Sequence, residues 1–563
     1  MRFSEMPYKR PDIAEISSKY EAITKKVKEA ASAAEQLEAF SEHEKLYSNI
    51  LTLNSIVYIR YSTNTKDEFY AKEQEFMDEV GPLFEEKLQN FYTALLESKF
   101  RPELEEKLGS LIFKNIEIAR RTFSPAVISL IQEENKLVSE YQRIYASCTV
   151  EIDGKKLPVT KLRPYKESPD RETRKKAYTA EGECFDSHRR EFDEIYDKLV
   201  KLRSEIAAKL GYKSFVELAY DRLGRNCYGT AEVANLREQI AKEIVPLVSE
   251  AKERQRRRIG VDKLYFYDDL FCFPDGNANP EGTAEEILAA GKEMYHKLSP
   301  ETAEFIDFMF ENELFDVLAK EGKAPGGYCT ELPDYKAPFI FSNFNGTAGD
   351  VDVLTHEAGH AFAGYTAAKH GYLLETASPS LEGCEVHSMS MEFLTSEYHE
   401  LFFGKNTAKY ELSHCEDALV FLPYGSMVDE FQHIIYENTS LTPEQRNEEW
   451  MKLEKKYRPY MDCADIPFYS RGAGWQRQTH IYMNPFYYID YCMAQTVAFQ
   501  FWLKMLEDKT AAWESYMKYT NLGGTKTFAE AVSYAGMKLP YEKGCVGEIA
   551  TKVSAWLAEH DKI

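Results

Sequence analysis

The 563-residue sequence predicts a mainly α-helical fold with one small β-sheet. Long segments such as 15–40 and 230–258 carry apolar residues at steps of three and four with few helix breakers. That periodicity is typical of amphipathic helices. Strand patterns are rare by comparison, and the clearest is FIFSNFNG at 339–346, which follows the turn-rich segment GGYCTELPDYKAP.

One interruption divides the helical sequence. The segment 124–146 continues the helical pattern, with Ser124 as a predicted N-cap and Pro125 in the first turn. Residues 148–163 break the pattern, and TVEIDGKKLPV predicts a short hairpin with Asp153-Gly154 at its turn. We therefore place an N-terminal helical region at 1–147 and a second region at 148–563.

Charge and cysteine usage narrow the class of protein. With 69 basic and 92 acidic residues, the formal net charge is 69 − 92 = −23, which disfavours nucleic acid and anionic membranes as partners. The ten cysteines are scattered and form no C-x-x-C pair, as expected for reduced thiols. Neither a signal core nor a long apolar span is present in the sequence. These features predict a cytoplasmic protein.

The segment LTHEAGHAF contains the pattern with the clearest chemistry. Residues 348–370 are predicted to form one helix that starts near the Thr347–Asp350 cap and stops at Gly371. His356 and His360 then lie on one face, one turn apart, as two ligands of a tetrahedral Zn²⁺ require. Glu357 stands beside them, where it can act as a general base.

A third ligand is needed, and the following sequence offers several. The metzincin continuation requires Gly at 363 and His at 366, but Ala363 and Thr366 occupy these positions, so that branch is excluded. The next predicted helix, 378–402, is expected to be capped by Ser378, with Pro379 in its first turn.

Five further residues are candidates for this site. Spacing alone does not choose between Glu382 and Glu385 as the ligand. Glu392 shares a face with Glu385 and could support the ligand from behind. His387 points nearly opposite to Glu385 and is interpreted as structural or supporting. Asp352, one turn before His356, could orient that imidazole or could be a solvated helix-start acid.

Several segments together resemble the oligoendopeptidase F branch of the thimet oligopeptidase family of zinc peptidases. They are the stretch from GGYCTELPDYKAP through LTHEAGHAF, the segment SLEGCEVHSMSMEF, the segment HIYMNPFYYIDYCMAQ at 480–495, and residues 174–215. The resemblance implies that Glu385 is the third ligand of one Zn²⁺ per chain and that Glu392 is a supporting acid. It also implies a zincin-like helical ellipsoid split by a deep substrate channel.

The same resemblance assigns roles to an aromatic segment that would otherwise suggest core packing. It implies that His480 contacts the substrate and that Tyr488 and Tyr491 are the candidate phenols at the scissile carbonyl. The preceding RGAGWQRQ, 471–478, is either a mobile loop or an ordinary surface loop. FIFSNF is interpreted as an edge strand with which an extended peptide could pair.

These observations predict a zinc endopeptidase that cuts short peptides, with oligomeric state left open. A metallocarboxypeptidase is an alternative, with Arg471 and Arg477 as candidate groups for a substrate carboxylate. A non-catalytic peptide-binding scaffold is disfavoured, because His356, His360, Glu385 and Glu357 are all present.

Overall fold

A computed structural model describes residues 1–562, and it confirms the mainly helical fold with small sheets. The α-helices in this range are α1 Ile13–Glu29, α2 Ala33–Thr63, α3 Glu68–Leu96, α4 Arg101–Leu108, α5 Ser110–Arg121, α6 Ile128–Ser147, α7 Arg163–Lys166, α8 Arg171–Ser187, α9 Arg189–Lys209, α10 Phe215–Arg222, α11 Thr230–Gln239, α12 Val245–Arg258, α13 Ala284–Leu298, α14 Pro300–Glu311, α15 Gly349–His370, α16 Leu374–Ala377, α17 Leu381–Leu394, α18 Glu400–Phe403, α19 Thr407–Glu437, α20 Pro443–Tyr457, α21 Pro467–Ser470, α22 Thr479–Met483, α23 Tyr488–Glu507, α24 Lys509–Thr520, α25 Phe528–Tyr534 and α26 Cys545–His560. The strands are β1 Thr149–Ile152, β2 Lys155–Pro158, β3 Phe315–Leu318, β4 Tyr328–Leu332 and β5 Ala337–Phe344.

The chain forms two compact units, each built from separate stretches of sequence. The first unit contains Met1–Arg120, Asn279–Lys405 and Val497–Met537. The second unit contains Arg121–Ala278, Asn406–Thr496 and the C-terminal segment from Lys538. The predicted boundary at residue 147 divides the sequence into two continuous regions, whereas these units are discontinuous in sequence. The boundary therefore stays a prediction. Within residues 1–562, no helix combines the length and the apolar character needed to cross a membrane.

The small sheets match one strand prediction and correct another. Strands β1 and β2 form the predicted antiparallel hairpin with Asp153 and Gly154 at its turn. In the three-stranded sheet, however, the order is β3-β5-β4. The segment FIFSNF belongs to β5 and is therefore the central strand, so its interpretation as an edge strand is wrong. Seven of the eight residues of β5 are buried, as expected for a strand with neighbours on both sides.

Helix α15 has the predicted extent, and its first turn is joined to the end of β5. The carboxylate of Asp350 accepts the backbone N–H groups of Asn345 and Gly346 at 2.7–3.0 Å. The helix ends at Gly371, whose φ of 71° is the left-handed conformation that favours glycine at this position. This connection places the histidine-bearing face of α15 relative to the sheet.

Helix α17 begins later than predicted. Its N-cap is Ser380 and its first residue is Leu381, whereas Ser378 follows the end of the short helix α16. The hydroxyl of Ser380 donates to Glu382 Oε1 at 2.7 Å. Because this carboxylate is engaged at the helix start, Glu382 contributes to the local structure of α17.

Candidate metal centre

Three donor atoms converge between α15 and α17 in the first unit. One nitrogen each from His356 and His360 and one carboxylate oxygen of Glu385 all lie within 4.8 Å of one another. Glu385 Oε2 is 3.4 Å from His356 Nε2 and 3.5 Å from His360 Nε2. Two imidazoles and one carboxylate form the donor set of catalytic zinc sites, which leave a further position for water. The arrangement therefore fits a divalent cation such as Zn²⁺.

The two helices can approach this closely because residue 359 is a glycine. A Cβ atom at Gly359 would lie 2.6 Å from the Cα atom of Ser388 and 2.7 Å from the carbonyl oxygen of His387. Any side chain at this position would thus collide with the backbone of α17. Gly359 lies between the two histidines on α15, so the contact brings Glu385 to them. An isolated glycine inside a helical pattern is a sequence signal for such a contact, although it does not identify the partner.

Two further groups orient the ligands. Glu392 Oε1 lies 2.7 Å from His356 Nδ1, which leaves Nε2 directed towards Glu385. The hydroxyl of Ser388 donates to Glu385 Oε2 at 3.0 Å. Carboxylate contacts of this kind set the tautomer and ring orientation of metal-binding histidines. The position of Asp352 one turn before His356 suggested that it could orient the ring, but in the structure Glu392 makes the contact with Nδ1.

The pKa values of Glu385 and His356 are both shifted by their mutual contacts. Burial raises the pKa of Glu385, but hydrogen bonds to His356 and His360 outweigh burial and bring it well below the usual range. Glu385 therefore stays ionised at neutral pH. Burial lowers the pKa of His356, and the hydrogen bonds to Glu385 and Glu392 outweigh that effect and raise it. Without metal, this imidazole holds a proton that a cation would displace.

Glu357, the residue after the first histidine, lies in the same low-dielectric environment. Only 9% of its surface is exposed, and burial raises the pKa of its carboxyl group. A raised pKa makes a carboxylate a better proton acceptor near neutral pH.

His387 is buried away from this donor set. Its ring packs against Tyr516 and Tyr519, with ring centroids 6.2 and 5.0 Å apart. Burial, followed by the nearby His360, lowers the pKa of His387 to about 3, so the ring is neutral at ordinary pH. Among residues 1–562 the third member of the donor cluster at His356 and His360 is Glu385.

The second unit gathers the aromatic residues predicted to act on substrate. The ring of His480 lies 4.8 Å from that of Tyr488 and 6.2 Å from that of Tyr491, and the two tyrosine rings are 5.8 Å apart. Gln478, which no sequence pattern singled out, contacts His480 Nδ1 at 2.8 Å and accepts a hydrogen bond from the hydroxyl of Tyr424 at 2.9 Å. No motif identifies Gln478, because its hydrogen bond with Tyr424 comes from α19, 54 positions away in the sequence.

The segment RGAGWQRQ is packed, and both of its arginines are paired. Trp475 is fully buried, and its indole N–H donates to Asn447 Oδ1 at 2.8 Å. Arg471 forms a short ion pair with Asp186, and Arg477 lies 3.2 Å from Glu181. Each arginine therefore has a carboxylate partner within the second unit.

Comparison with known proteins relates the whole chain to peptidases. Residues 3–123 match the family "Peptidase M3 N-terminal domain", and residues 164–551 match "Peptidase family M3". The structure of PZ peptidase A with inhibitor 2 superposes with a TM-score of 0.94 at 47% identity, covering 99% of each chain. The oligoendopeptidase F homologue of Borreliella burgdorferi is 22% identical over 467 residues, 78% of this chain and 75% of that protein. Oligoendopeptidase F of Lactococcus lactis subsp. cremoris is 23% identical over 384 residues, 66% of this chain and 61% of that protein.

Proposed function

This chain belongs to peptidase family M3 and is a peptidase, and on that premise we propose that it is a zinc-dependent endopeptidase of short peptides. The observation that carries the proposal is the convergence of His356, His360 and Glu385 beside the buried carboxyl group of Glu357. These three residues would hold one Zn²⁺ per chain. The scattered cysteines support a reducing, cytoplasmic location for the enzyme.

The proposed mechanism assigns a separate task to each group. When bound, zinc supplies Lewis acidity, which lowers the pKa of a coordinated water and polarises the substrate carbonyl. Glu357 accepts a proton from the attacking water and returns it to the departing amine. Glu392 keeps the imidazole of His356 in the tautomer that directs Nε2 to the cation.

We assign oxyanion stabilisation to a phenol of Tyr488 or Tyr491, with His480 as a substrate contact. This assignment rests on the resemblance of the segment 480–495 and on the chemistry of a phenol as a hydrogen-bond donor. Burial raises the pKa of Tyr488 well above its ordinary value, so its hydroxyl stays protonated and able to donate. Kinetics of phenylalanine variants decide which tyrosine acts.

An extended substrate would pair with β4 rather than with β5. Strand β5 already has neighbours on both sides, whereas β4 lies at the edge of the sheet. Main-chain pairing with an edge strand supplies binding energy with little dependence on side chains. It therefore suits an enzyme that accepts varied peptide sequences.

Two alternatives have weaker support. A carboxypeptidase needs a cation for the free carboxylate of its substrate, but Arg471 and Arg477 already pair with Asp186 and Glu181. A non-catalytic scaffold has no need to retain the general base Glu357 together with the three donors.

The decisive experiment is mass-spectrometric mapping of products from peptides blocked at both ends. We expect cleavage at internal bonds, loss of cleavage after chelation, and recovery when Zn²⁺ is restored. The Glu357→Gln variant should keep its metal content and lose about 10²- to 10⁴-fold in kcat, because general-base catalysis contributes that factor. Cleavage that survives complete metal removal would overturn the proposal. Cleavage of unblocked peptides alone, with blocked peptides left intact, would also overturn it.

A further inference from the structure

A second cluster of metal-ligand residues lies in the first unit, outside the centre described above. His43 and Glu44 are adjacent on α2, and Glu375 lies on the short helix α16. Ligand atoms of these three residues all lie within 4.8 Å of one another. His43 Nε2 is 2.9 Å from Glu375 Oε1, and Glu44 Oε2 accepts the backbone N–H of Leu374 at 3.2 Å. The cluster thus joins α2 to the connection between α15 and α17.

Two oxygens in this cluster have no hydrogen-bond donor. Glu44 Oε1 and Glu375 Oε2 are both buried, and neither has a hydrogen-bond partner in the protein. Ionised carboxylates only accept hydrogen bonds, so two of them can adjoin in a buried place only with a proton or a cation between them. The two carboxyl groups therefore need a proton or a cation between them.

The surroundings of the pair supply further groups that fit a bound cation. His43 adds a nitrogen donor and is fully buried, with 0% of its side chain exposed. Its other nitrogen, Nδ1, lies 3.4 Å from the hydroxyl of Tyr20, and Tyr92 donates its hydroxyl to Glu375 Oε1 at 2.6 Å. Metal-binding histidines and carboxylates are usually oriented by such outer hydrogen bonds. A shared proton would also satisfy the two carboxyl groups, and the zinc titration below separates it from a cation.

We propose that His43, Glu44 and Glu375 bind a second divalent cation of the zinc type. One imidazole and two carboxylates form a donor set that Zn²⁺ accepts, with water completing the coordination. The rings of Phe91 and Tyr47 stack on His43, with centroids 4.4 and 5.5 Å away, so the site is enclosed. Its role is structural, because the cation would link α2 to the segment between the two helices of the candidate metal centre.

A cavity shares two aromatic side chains with the surroundings of the cluster. It has a volume of about 200 Å³ and is lined by Tyr20, Tyr47 and Glu85 among others. Tyr20 and Tyr47 also contact His43, so the cavity wall and the wall of the cluster share these two rings. Glu85 adds a carboxyl group to the cavity wall.

The test counts bound zinc in protein that lacks the histidines of the candidate metal centre. The full chain carrying His356→Ala and His360→Ala is stripped by dialysis against a chelator and titrated with Zn²⁺ alone, and bound metal is measured by mass spectrometry. We expect one equivalent in this background and two in the unsubstituted protein. Adding Glu375→Gln should weaken the remaining site at least about tenfold, since a direct ligand is lost.

Two additional variants keep the result interpretable. Glu44→Gln can donate its amide to Glu375 as a protonated acid would, so it should fold normally yet lose zinc and the zinc-induced rise in Tm. The matched control Glu42→Gln changes an exposed carboxylate on the same helix. This variant should still bind one equivalent of zinc. The proposal would be overturned if the folded protein carrying His356→Ala and His360→Ala bound no zinc. It would also be overturned if Glu44→Gln left zinc binding in that protein unchanged. These measurements do not depend on activity, so they are independent of the proposed function.

Discussion

Replacement of Gly359 by alanine is the sharpest perturbation of the candidate metal centre. The added Cβ atom would stand 2.6 Å from Ser388 Cα and 2.7 Å from the carbonyl oxygen of His387. Favourable contacts between carbon atoms lie at about 3.5–4.0 Å, so α17 must retreat from α15 by about 1 Å. Both opposing atoms belong to the backbone, and neither can move without displacing the helix.

The displacement acts directly on metal binding. Metal–ligand distances tolerate deviations of only about 0.2 Å, whereas Glu385 would move with α17 by several times that amount. Overpacking of this kind costs about 1–3 kcal/mol. If the cost falls on the metal-bound state, the affinity for zinc drops about 5- to 150-fold. Peptidase activity at limiting zinc should fall in the same proportion.

Competition with a chromophoric chelator measures this affinity, and circular dichroism checks that the variant is folded. Gly349→Ala serves as the matched control, because it lies on the same helix and its Cβ would meet only Thr347 Oγ1 at 3.4 Å. That control should bind zinc as the unsubstituted protein does. A folded Gly359→Ala protein with undiminished zinc affinity and turnover would refute the reasoning that the backbone contact positions Glu385.

Three further outcomes are expected. Glu385→Ala should lower the zinc content sharply while Glu382→Ala leaves it unchanged, because Glu385 lies close to the Nε2 atoms of both histidines; atomic absorption after dialysis measures both. Glu392→Gln should weaken zinc binding about 10- to 100-fold, as removal of an orienting partner does elsewhere, and metal titration measures it. Tyr488→Phe or Tyr491→Phe should lower kcat more than it raises KM if the phenol acts in the transition state, and steady-state kinetics on a blocked peptide separate the two constants.

Controls for these variants come from exposed positions. Tyr534 is 62% exposed, so Tyr534→Phe should leave both constants unchanged. Equal zinc loss in Glu382→Ala would shift the ligand assignment towards the start of α17. Retained affinity in Glu392→Gln would show that His356 is oriented by another group. A pure KM effect in both tyrosine variants would assign the phenols to substrate binding alone.

Local regularities made much of the fold predictable. The three- and four-residue periodicity identified the helices because helix geometry relates neighbours along the chain. The hairpin of β1 and β2 followed from Asp153-Gly154, and the end of α15 followed from Gly371. The edge assignment of β5 failed because the strand order depends on β3 and β4, whose pairing is not encoded within the strand itself.

By itself the sequence determined that His356 and His360 share a helix face with Glu357 beside them, since four residues make about one turn. Spacing within the sequence left Glu382 and Glu385 open, and only the family resemblance favoured Glu385. The tertiary structure places Glu385 beside the two histidines, because α15 and α17 approach closely at Gly359. The contact between His43 and Glu375 could not be predicted from the sequence, since 332 positions separate the two residues. Periodicity describes contacts within one element, whereas packing decides which distant elements meet.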